Sequence, residues 1–406
     1  MTADRSQFGA DHPTDSARCP LCNADVERAE SVYATAPNAV CPTHCAVVCD
    51  SSVAARAWPN GSLDIIECPE CRLVFNRSFD PQTQHFDRGY EESQAASEVF
   101  STFERSLVRE LVEGAGVRHK SVMEIGCGKG SFLQLLSREG ANRCVGYDPA
   151  YTPGVGEPAA DGVRFERRLF TPASNEPPAE VVICRHTLEH IRDLPAFGRL
   201  LHAATAPGGR LILEVPALER IAREGAFWDL YYEHANTFDA ASLSRFVASA
   251  GFEEIEQRFV YHDQYLLSVA ERRAAPAPSP PTPPSHADQM RQNIDAAREF
   301  WMGRLWRARE HGQRVVLWGS GSKAVGFLMG VADAAPVPIA AVDICARRQG
   351  RHVPGFGLPI VPPSALRELR ADLVIAMNAV YVDEISAELR AQGAHTELVA
   401  LGGATP

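Results

Sequence analysis

The stretch Val122-Met-Glu-Ile-Gly-Cys-Gly-Lys-Gly130 joins an apolar strand to a glycine loop and the start of a helix. Gly126, Gly128 and Gly130 let a ligand approach the backbone closely, where the N–H groups of the helix face it. The spacing Gly-x-Gly-x-Gly differs from the Gly-x-Gly-x-x-Gly loop that wraps a pyrophosphate. Glu124, two residues before the first glycine, attracts a cationic ligand and repels a phosphate. The stretch therefore predicts a strand–loop–helix turn that binds a positively charged ligand.

Strands and helices alternate around this loop, from about residue 119 to residue 272. Apolar, strand-like runs lie at Val122–Ile125, Cys144–Tyr147, Val181–Cys184 and Leu211–Val215. Such alternation is typical of a parallel sheet covered by helices, so the sequence predicts an α/β fold. Two further runs, 254–260 and 264–270, are too close together to enclose a crossover helix. They predict an antiparallel pair at one end of the sheet.

Asp148 ends the strand after the glycine loop, where its carboxylate can accept hydrogen bonds from both hydroxyls of a ribose. Together with the acidic glycine loop it predicts S-adenosylmethionine as the cofactor, because the ammonium and sulfonium of that molecule are positive. The alternative is a tight turn without a ligand. In the later run Cys184-Arg-His-Thr-Leu-Glu-His190, His186 is expected to line the methionine end of the cofactor pocket. For Glu189 and His190, a capping and packing role and a functional role both stay open.

Seven of the 11 cysteines lie within the first 71 residues, in a region poor in periodic structure. The pairs Cys19-Pro-Leu-Cys22 and Cys68-Pro-Glu-Cys71 supply four thiolates, which suit a tetrahedral Zn²⁺. Because four thiolates close the coordination shell, the metal predicted is structural. The sequence leaves open whether a ligand is replaced, or a second ion held, by Cys41, His44, Cys45 or Cys49.

A proline-rich segment, residues 273–288, separates the core from a second strand–helix alternation. Proline forms neither helix interior nor central strand, so this segment predicts a linker. The domains predicted are a zinc-binding lobe (1–80), a helical connector (81–118), a cofactor-binding core (119–272) and, after the linker, a Rossmann-like domain (289–406). In the last domain Gly319, Gly321 and Asp343 fit the dinucleotide pattern, and taken alone they predict a nicotinamide cofactor.

Charge and hydropathy argue against several classes of protein. The chain has 40 Lys and Arg against 51 Asp and Glu, a net charge of −11. Surfaces that hold nucleic acid need excess cations, so no nucleic-acid partner is expected. No apolar run approaches the ~18 to 20 residues that cross a bilayer, and no signal-peptide pattern opens the chain. We expect a cytoplasmic enzyme with a small-molecule substrate, no membrane partner, and a monomeric or homodimeric state.

The run from Val122 to Ala270 looks like a class I S-adenosylmethionine-dependent methyltransferase. With the cysteine lobe before it and the second α/β domain after it, nearly the whole chain resembles the sugar C-methyltransferases of antibiotic and surface-polysaccharide biosynthesis. The resemblance implies a seven-stranded core sheet and methylation at C3 of a nucleotide-linked 4-keto-deoxysugar. The run Tyr-Tyr-Glu-His at 231–234, where Tyr-His-Glu-His is commoner, and the stretch Cys41-Pro-Thr-His-Cys45 place the chain in a divergent branch.

The resemblance also implies roles for single residues. His234 would abstract the C3 proton, and Glu233 and Tyr231 would assist. A proton beside a ketone is weakly acidic, so its removal needs a positioned base and stabilisation of the enolate. Imidazole suits the base because its pKa lies near operating pH and a neighbouring carboxylate can orient it. Further positions implied are Tyr90 over the sugar, for which a buried aromatic is the alternative, and Lys323 and Asn378 in the substrate pocket.

Three other functions compete with this interpretation. The first is O- or N-methylation of another small natural product with the same cofactor site, for which His234→Ala would lower activity only modestly. The second is a nicotinamide-dependent oxidoreductase that uses the second glycine loop. The third is a zinc-stapled binding module without catalysis, which the complete cofactor loop disfavours.

Overall fold

The computed structural model describes residues 16–84, 90, 94, 96–153, 161–274, 281–332 and 338–402. Residues 275–280 of the predicted linker and 85–89 of the predicted connector lie outside the described residues. The described chain forms a four-stranded, a seven-stranded and a five-stranded sheet. The two larger sheets confirm the α/β class, whereas the small sheet was not expected.

The cysteine-rich N-terminal region contains three short strands and one helical turn. Its elements are β1 (Ser31–Ala34), α1 (Ser52–Arg56), β2 (Asp64–Glu67) and β3 (Val74–Asn76). β1 pairs with β2, and β2 with β3, in both cases antiparallel. Strands of three or four residues are too short to show a clear alternation, so pattern analysis did not detect them.

The central part of the chain forms the seven-stranded sheet and the helices around it. Its elements are α2 (Glu98–Glu113), β4 (Ser121–Ile125), α3 (Ser131–Gly140), β5 (Arg143–Tyr147), β6 (Val163–Glu166), β7 (Ala179–Arg185), α4 (Leu194–Ala204), β8 (Thr205–Pro216), α5 (Leu218–Glu224), β9 (Asn236–Thr237), α6 (Ala240–Ser249), β10 (Phe252–Val260) and β11 (Tyr265–Arg272). The strand order is β10-β11-β8-β7-β4-β5-β6. β11 runs antiparallel to both of its neighbours, which confirms the antiparallel pair predicted at one end. The partly exposed strand β6 at the other end was not predicted.

Helices cover both faces of this sheet. On one face α2 and α3 bury Leu107, Leu111 and Leu133. On the other face α4 and α6 bury Leu201 and Phe246. Because β4, β5 and β7 are parallel, the loops that follow them meet at one edge of the sheet, where ligands bind in folds of this type.

The two-residue strand β9 belongs to the N-terminal sheet although it lies in the core sequence. It pairs antiparallel with β3, with Asn236 opposite Phe75 and Thr237 opposite Val74. One residue earlier, the carbonyl of Ala235 accepts a hydrogen bond of 2.9 Å from the backbone N–H of Asn76. The loop that ends at Ala235 is therefore held by the N-terminal lobe.

The C-terminal domain is a parallel five-stranded sheet with its own helices. Its elements are α7 (Ala287–Glu310), β12 (Val315–Trp318), α8 (Ser322–Val331), β13 (Ala340–Val342), β14 (Ile360–Val361), α9 (Leu366–Leu369), β15 (Leu373–Ala376), α10 (Val382–Ala391) and β16 (Glu397–Ala400). The strand order is β14-β13-β12-β15-β16. Met290 and Ile294 of α7 pack in one apolar cluster with Leu218 and Ile221 of α5, so the domain is joined to the core by buried apolar surface.

The described end of the proline-rich segment lies against the N-terminal lobe. Thr282 Oγ1 donates a hydrogen bond of 3.1 Å to the carbonyl of Glu70, and the backbone N–H of His286 donates one of 2.8 Å to Glu67. The segment therefore runs along the cysteine lobe before α7 begins.

A cavity of about 1750 Å³ lies where the N-terminal lobe, the core and the C-terminal domain meet. The carboxyl ends of β4, β5 and β7 form one wall, and the loop after β12 forms the opposite wall. No helix among the described residues has the length and the apolar character that a bilayer-spanning segment needs.

Candidate active site

The glycine loop between β4 and α3 lines the cavity, as the sequence predicted. Gly126 has a φ of +81°, and a Cβ there would lie 1.9 Å from Thr187 Oγ1. Only glycine fits a position that combines this backbone conformation with such close contact. The loop therefore presents bare backbone to the cavity, which suits close approach by a ligand.

Glu124 lies near the end of β4, just before this loop, and only 2% of its surface is exposed. Burial raises its pKa to about 8, although the charge of Arg185 opposes the rise. Its Oε2 has no hydrogen-bond partner among the described residues. A buried carboxylate oxygen without a donor is unfavourable, and a ligand ammonium in the adjacent cavity would supply one.

Asp148 follows β5, and its carboxylate lines the same cavity. It accepts hydrogen bonds from the backbone N–H of Gly128 at 2.8 Å and of Ala150 at 2.6 Å. Burial raises its pKa, and these two bonds lower it. A carboxylate has about four acceptor sites, so the loop fixes the orientation of Asp148 and leaves capacity for ribose hydroxyls. The residues present thus fit S-adenosylmethionine.

His186 lies at the cavity after β7, with a left-handed φ of 49°. Its Nε2 is 2.7 Å from Glu214 Oε1, and its Nδ1 is 3.8 Å from Glu189 Oε1. Burial lowers its pKa, but the two carboxylates outweigh burial and raise it to about 9. His186 is therefore a cation at neutral pH. The sequence placed it in the pocket but did not reveal this ion-pair network, which continues from Glu214 to Arg185 at 3.1 Å.

The loop after α5 carries Tyr231, Glu233 and His234, all buried at the cavity. Glu233 connects the three lobes. Its Oε2 accepts a hydrogen bond of 3.1 Å from the backbone N–H of Cys45 in the N-terminal lobe. Its Oε1 accepts one of 3.4 Å from Ser322 Oγ in the C-terminal domain. The structure thus brings the three residues together and anchors their loop from both sides.

The ring of His234 is 4.2 Å from the ring of Tyr231 and 5.1 Å from that of His190, measured between centroids. Burial lowers the pKa of His234 to about 3, and His190 contributes in the same direction. The sequence expectation of a pKa near operating pH therefore does not hold for this pocket, because the ring is desolvated. His234 is therefore neutral at physiological pH, and its burial disfavours the protonated form.

His190 and Glu189, whose roles the sequence left open, both line the cavity. His190 Nδ1 donates a hydrogen bond of 2.7 Å to the carbonyl of Glu233, so a neutral ring carries its hydrogen on Nδ1. One carboxylate oxygen of Glu189 and one ring nitrogen each of His190 and His234 lie within 4.8 Å of one another. Only the fold reveals this cluster, since about 40 residues separate its two halves along the chain.

The second glycine loop, between β12 and α8, forms the opposite wall. Asp343, which the dinucleotide pattern would place on a ribose, accepts hydrogen bonds from Ser320 N at 2.9 Å, Ser320 Oγ at 2.5 Å and Cys345 N at 2.9 Å. Its carboxylate is therefore largely occupied by its own loop. This arrangement does not favour the nicotinamide alternative.

Three residues assigned to the substrate all lie at the cavity wall. Lys323 is ion-paired with Asp229, which is also paired with Arg220. Burial lowers the pKa of Lys323 to about 8, although Asp229 opposes this. Asn378 exchanges two hydrogen bonds with Gln264, of 2.8 and 3.3 Å. The third, Tyr90, receives a hydrogen bond of 3.0 Å from Lys129 of the cofactor loop on its carbonyl.

The two Cys-x-x-Cys pairs meet in space. The four sulfurs of Cys19, Cys22, Cys68 and Cys71 lie within 4.8 Å of one another, and two of their pairs are 3.6 Å apart. A tetrahedral ion with bonds of ~2.3 Å to sulfur places its ligands about 3.8 Å apart, so the cluster can hold a metal. Cys41, His44, Cys45 and Cys49 are buried outside it.

Comparison with known proteins matches two families. A methyltransferase domain matches residues 96–257, and a C-methyltransferase C-terminal domain matches residues 282–400. The C-methyltransferase NovU of Streptomyces niveus is 25% identical over 348 residues, which cover 80% of this chain and 81% of NovU.

Two other relatives match the core alone. The 2-ketoarginine methyltransferase of Streptomyces arginensis is 31% identical over 145 residues, 31% of this chain and 42% of that enzyme. A ubiquinone biosynthesis O-methyltransferase of Methylobacterium nodulans is 32% identical over 161 residues, 35% of this chain and 64% of that enzyme. Taken with the cofactor site, these findings show that the chain is an S-adenosylmethionine-dependent methyltransferase, and the C-terminal domain match and the similarity to NovU support a divergent branch of the C-methyltransferases.

Proposed function

We propose that this methyltransferase transfers its methyl group to carbon, at C3 of a nucleotide-linked 4-keto-deoxysugar, through an enolate formed by His234. The observation that carries the proposal is the cavity itself. It places a buried, neutral histidine and a tyrosine in the same space as the cofactor loop and the second glycine loop. The similarity to NovU over 80% of the chain supports carbon as the methylated atom.

The chain's own residues account for the proton transfer. His234 takes the C3 proton, and the electron pair of the broken C–H bond moves into the enolate of the 4-keto group. Burial raises the pKa of Tyr231 well above its usual value, so its hydroxyl keeps its proton and can donate a hydrogen bond to the enolate oxygen. Glu233 assists by fixing the loop between Cys45 and Ser322. Bound S-adenosylmethionine supplies an electrophilic methyl group for the nucleophilic carbon.

The same proposal gives roles to the other residues of the cavity wall that the sequence assigned to the substrate. Lys323 is a cation that could meet a diphosphate at the second glycine loop, where a phosphate would compete with Asp229 for its ammonium. Asn378 and Tyr90 lie where they can contact the sugar nucleotide. We also propose that Cys19, Cys22, Cys68 and Cys71 bind a structural Zn²⁺.

The test combines the purified protein with methyl-labelled S-adenosylmethionine and a thymidine-diphosphate 4-keto-deoxysugar in deuterated water. We expect the label on a ring carbon, and C3 proton exchange without cofactor that His234→Ala abolishes. Label on oxygen or nitrogen, with only a modest effect of His234→Ala, would favour the alternative acceptor chemistry. Confirmed cofactor binding with neither label transfer nor exchange would contradict the sugar substrate.

A further inference from the structure

We propose that Glu189 is the carboxylate that orients His234 and stabilises the proton it takes up. The proposal rests on the proposed function, because it takes His234 as the base. From the sequence, we expected that Glu233, which directly precedes His234 in the chain, would orient its ring. Glu189 reaches the site from the short turn Leu188–His190 after β7, where His190 hydrogen-bonds to the carbonyl of Glu233 in the loop of His234.

The position of Glu189 fits this role. Its side chain is 1% exposed, and one of its oxygens lies within 4.8 Å of a ring nitrogen of His234. Its Oε2 has no hydrogen-bond partner among the described residues. Hydrogen bonds between catalytic groups are often long in ligand-free structures and tighten in the complex, so the carboxylate of Glu189 can accept the ring N–H of His234.

The carboxylate of Glu233 makes other contacts instead. Its two carboxylate oxygens accept hydrogen bonds from the backbone of Cys45 in the N-terminal lobe and from Ser322 in the C-terminal domain. Its carbonyl accepts from His190 Nδ1. Glu233 thus positions the loop and fixes the tautomer of His190, while its carboxylate serves the contacts between lobes.

The other charged groups around His234 leave Glu189 as its anionic partner. From the turn before its loop, the charge of Asp229 also favours protonation of His234, but Asp229 is already paired with Lys323 and Arg220. From the turn after β7, His186 and His190 oppose protonation of His234, and Glu189 favours it. Tyr231 stays neutral because burial raises its pKa.

The network behind Glu189 keeps its carboxylate ionised. Burial raises the pKa of Glu189, but the neighbouring imidazoles lower it more, so it stays charged. His186 is itself held as a cation by Glu214, 2.7 Å away. When His234 takes the C3 proton, an imidazolium forms beside this fixed negative charge. Glu189 itself accepts no proton in the step.

The first experiment needs no substrate, so it separates this inference from the identity of the sugar. Ring nitrogens of ¹⁵N-histidine-labelled protein are assigned by loss of the His234 signals in His234→Asn. Nitrogen shifts then report which ring nitrogen of His234 carries the hydrogen. We expect Glu189→Gln to change that distribution and the isosteric Glu233→Gln to leave it as in the wild type. The reverse pattern would overturn the proposal.

The second experiment measures C3 exchange of the 4-keto sugar in deuterated water. We expect Glu189→Gln to lower kcat for exchange by about 100-fold or more, with KM changed less than about threefold, because an orienting carboxylate acts on the transition state. Glu189→Asp, which keeps the charge, should restore part of the rate. An equal loss of exchange rate in Glu189→Gln and Glu189→Asp, with cofactor binding and thermal unfolding as in the wild type, would contradict a role that depends on the charge of Glu189.

Discussion

At the scale of single residues, Glu124 shows how the cofactor site is prepared for a cation. Its carboxyl is buried, its pKa is raised to about 8 by that burial, and Oε2 has no donor among the described residues. Without a ligand it is therefore mostly protonated at pH 7. An ammonium placed beside it would favour the ionised form and lower its pKa.

Binding of S-adenosylmethionine near pH 7 should therefore release close to one proton from Glu124. Titration calorimetry in buffers of different ionisation enthalpy measures this release directly. Glu124→Gln should abolish it and weaken cofactor binding by about tenfold or more, because a charge-assisted hydrogen bond is lost. Equal proton release in the wild type and the variant would contradict the assignment of Glu124.

The same raised pKa predicts how stability depends on pH. An unfolded chain ionises glutamate near its usual pKa of about 4.3, so between that pH and 8 the folded ligand-free protein binds more protons at Glu124. Its contribution to the free energy of unfolding therefore falls as pH rises through this window. Glu124→Gln removes this fall. From pH 5 to pH 8, the free energy of unfolding of the variant should therefore rise by roughly 2–4 kcal/mol relative to that of the wild type. Urea denaturation of both proteins at the two pH values measures the difference.

At the scale of elements, a glycine allows α8 to pack closely against the turn before the catalytic loop. A Cβ on Gly326 would lie 2.4 Å from the carbonyl oxygen of Trp228, in the turn Phe227–Asp229 that precedes the loop. The close approach lets Lys323, one turn earlier on α8, pair with Asp229. A small residue on one helix thus sets the distance between two lobes.

Gly326→Ala should separate α8 from this turn and lower the free energy of unfolding by about 1–3 kcal/mol, as overpacking does. We also expect a lower kcat, since the loop of His234 follows the turn. Gly303→Ala in α7 is the matched control, because no atom of the described residues lies within 4 Å of a Cβ there. Alanine at that helical position should stabilise by about 0.5–1 kcal/mol. Similar destabilisation by both changes would contradict the docking argument.

Elements with a strong local pattern could be predicted from sequence, and elements defined by distant partners could not. The strand before the glycine loop and the antiparallel pair β10–β11 were predicted because each is a strand-like run that can be recognised in its own stretch of sequence. β3 and β9 have three and two residues, and their pairing joins Phe75 to Asn236 across 160 positions. No local pattern encodes such a pairing.

The same division holds within the site. The cofactor loop and the loop of His234 are local motifs: the first was predicted from its own residues, and the second from the resemblance to a known family. Glu189 lies close to His234 only because two loops fold against each other. The role of Glu189 therefore stayed open in the sequence. The low pKa of His234 likewise follows from burial, which the sequence alone does not give.

At the scale of the whole molecule, the cysteine lobe takes part in the active site by holding the loop that carries His234. β3 pairs with β9 directly after the catalytic loop, and the backbone of Cys45 holds Glu233. The four-cysteine cluster includes Cys68 and Cys71, which flank the turn between β2 and β3. A metal in this cluster would therefore stabilise the strand that positions His234, whereas Glu124 and Asp148 belong to the core sheet.

Cys68→Ser should accordingly lower methyl-transfer turnover by tenfold or more, about 1.4 kcal/mol in the activation free energy, and reduce bound zinc. Affinity for S-adenosylmethionine should change by less than about threefold, because the core sheet that binds it keeps its own strands. Metal analysis, calorimetric cofactor binding and turnover are measured on the same preparations. Cys49→Ser, a buried thiol outside the cluster, is the control and should keep its zinc. Parallel loss of cofactor affinity and turnover in Cys68→Ser would show instead that the lobe supports the whole core.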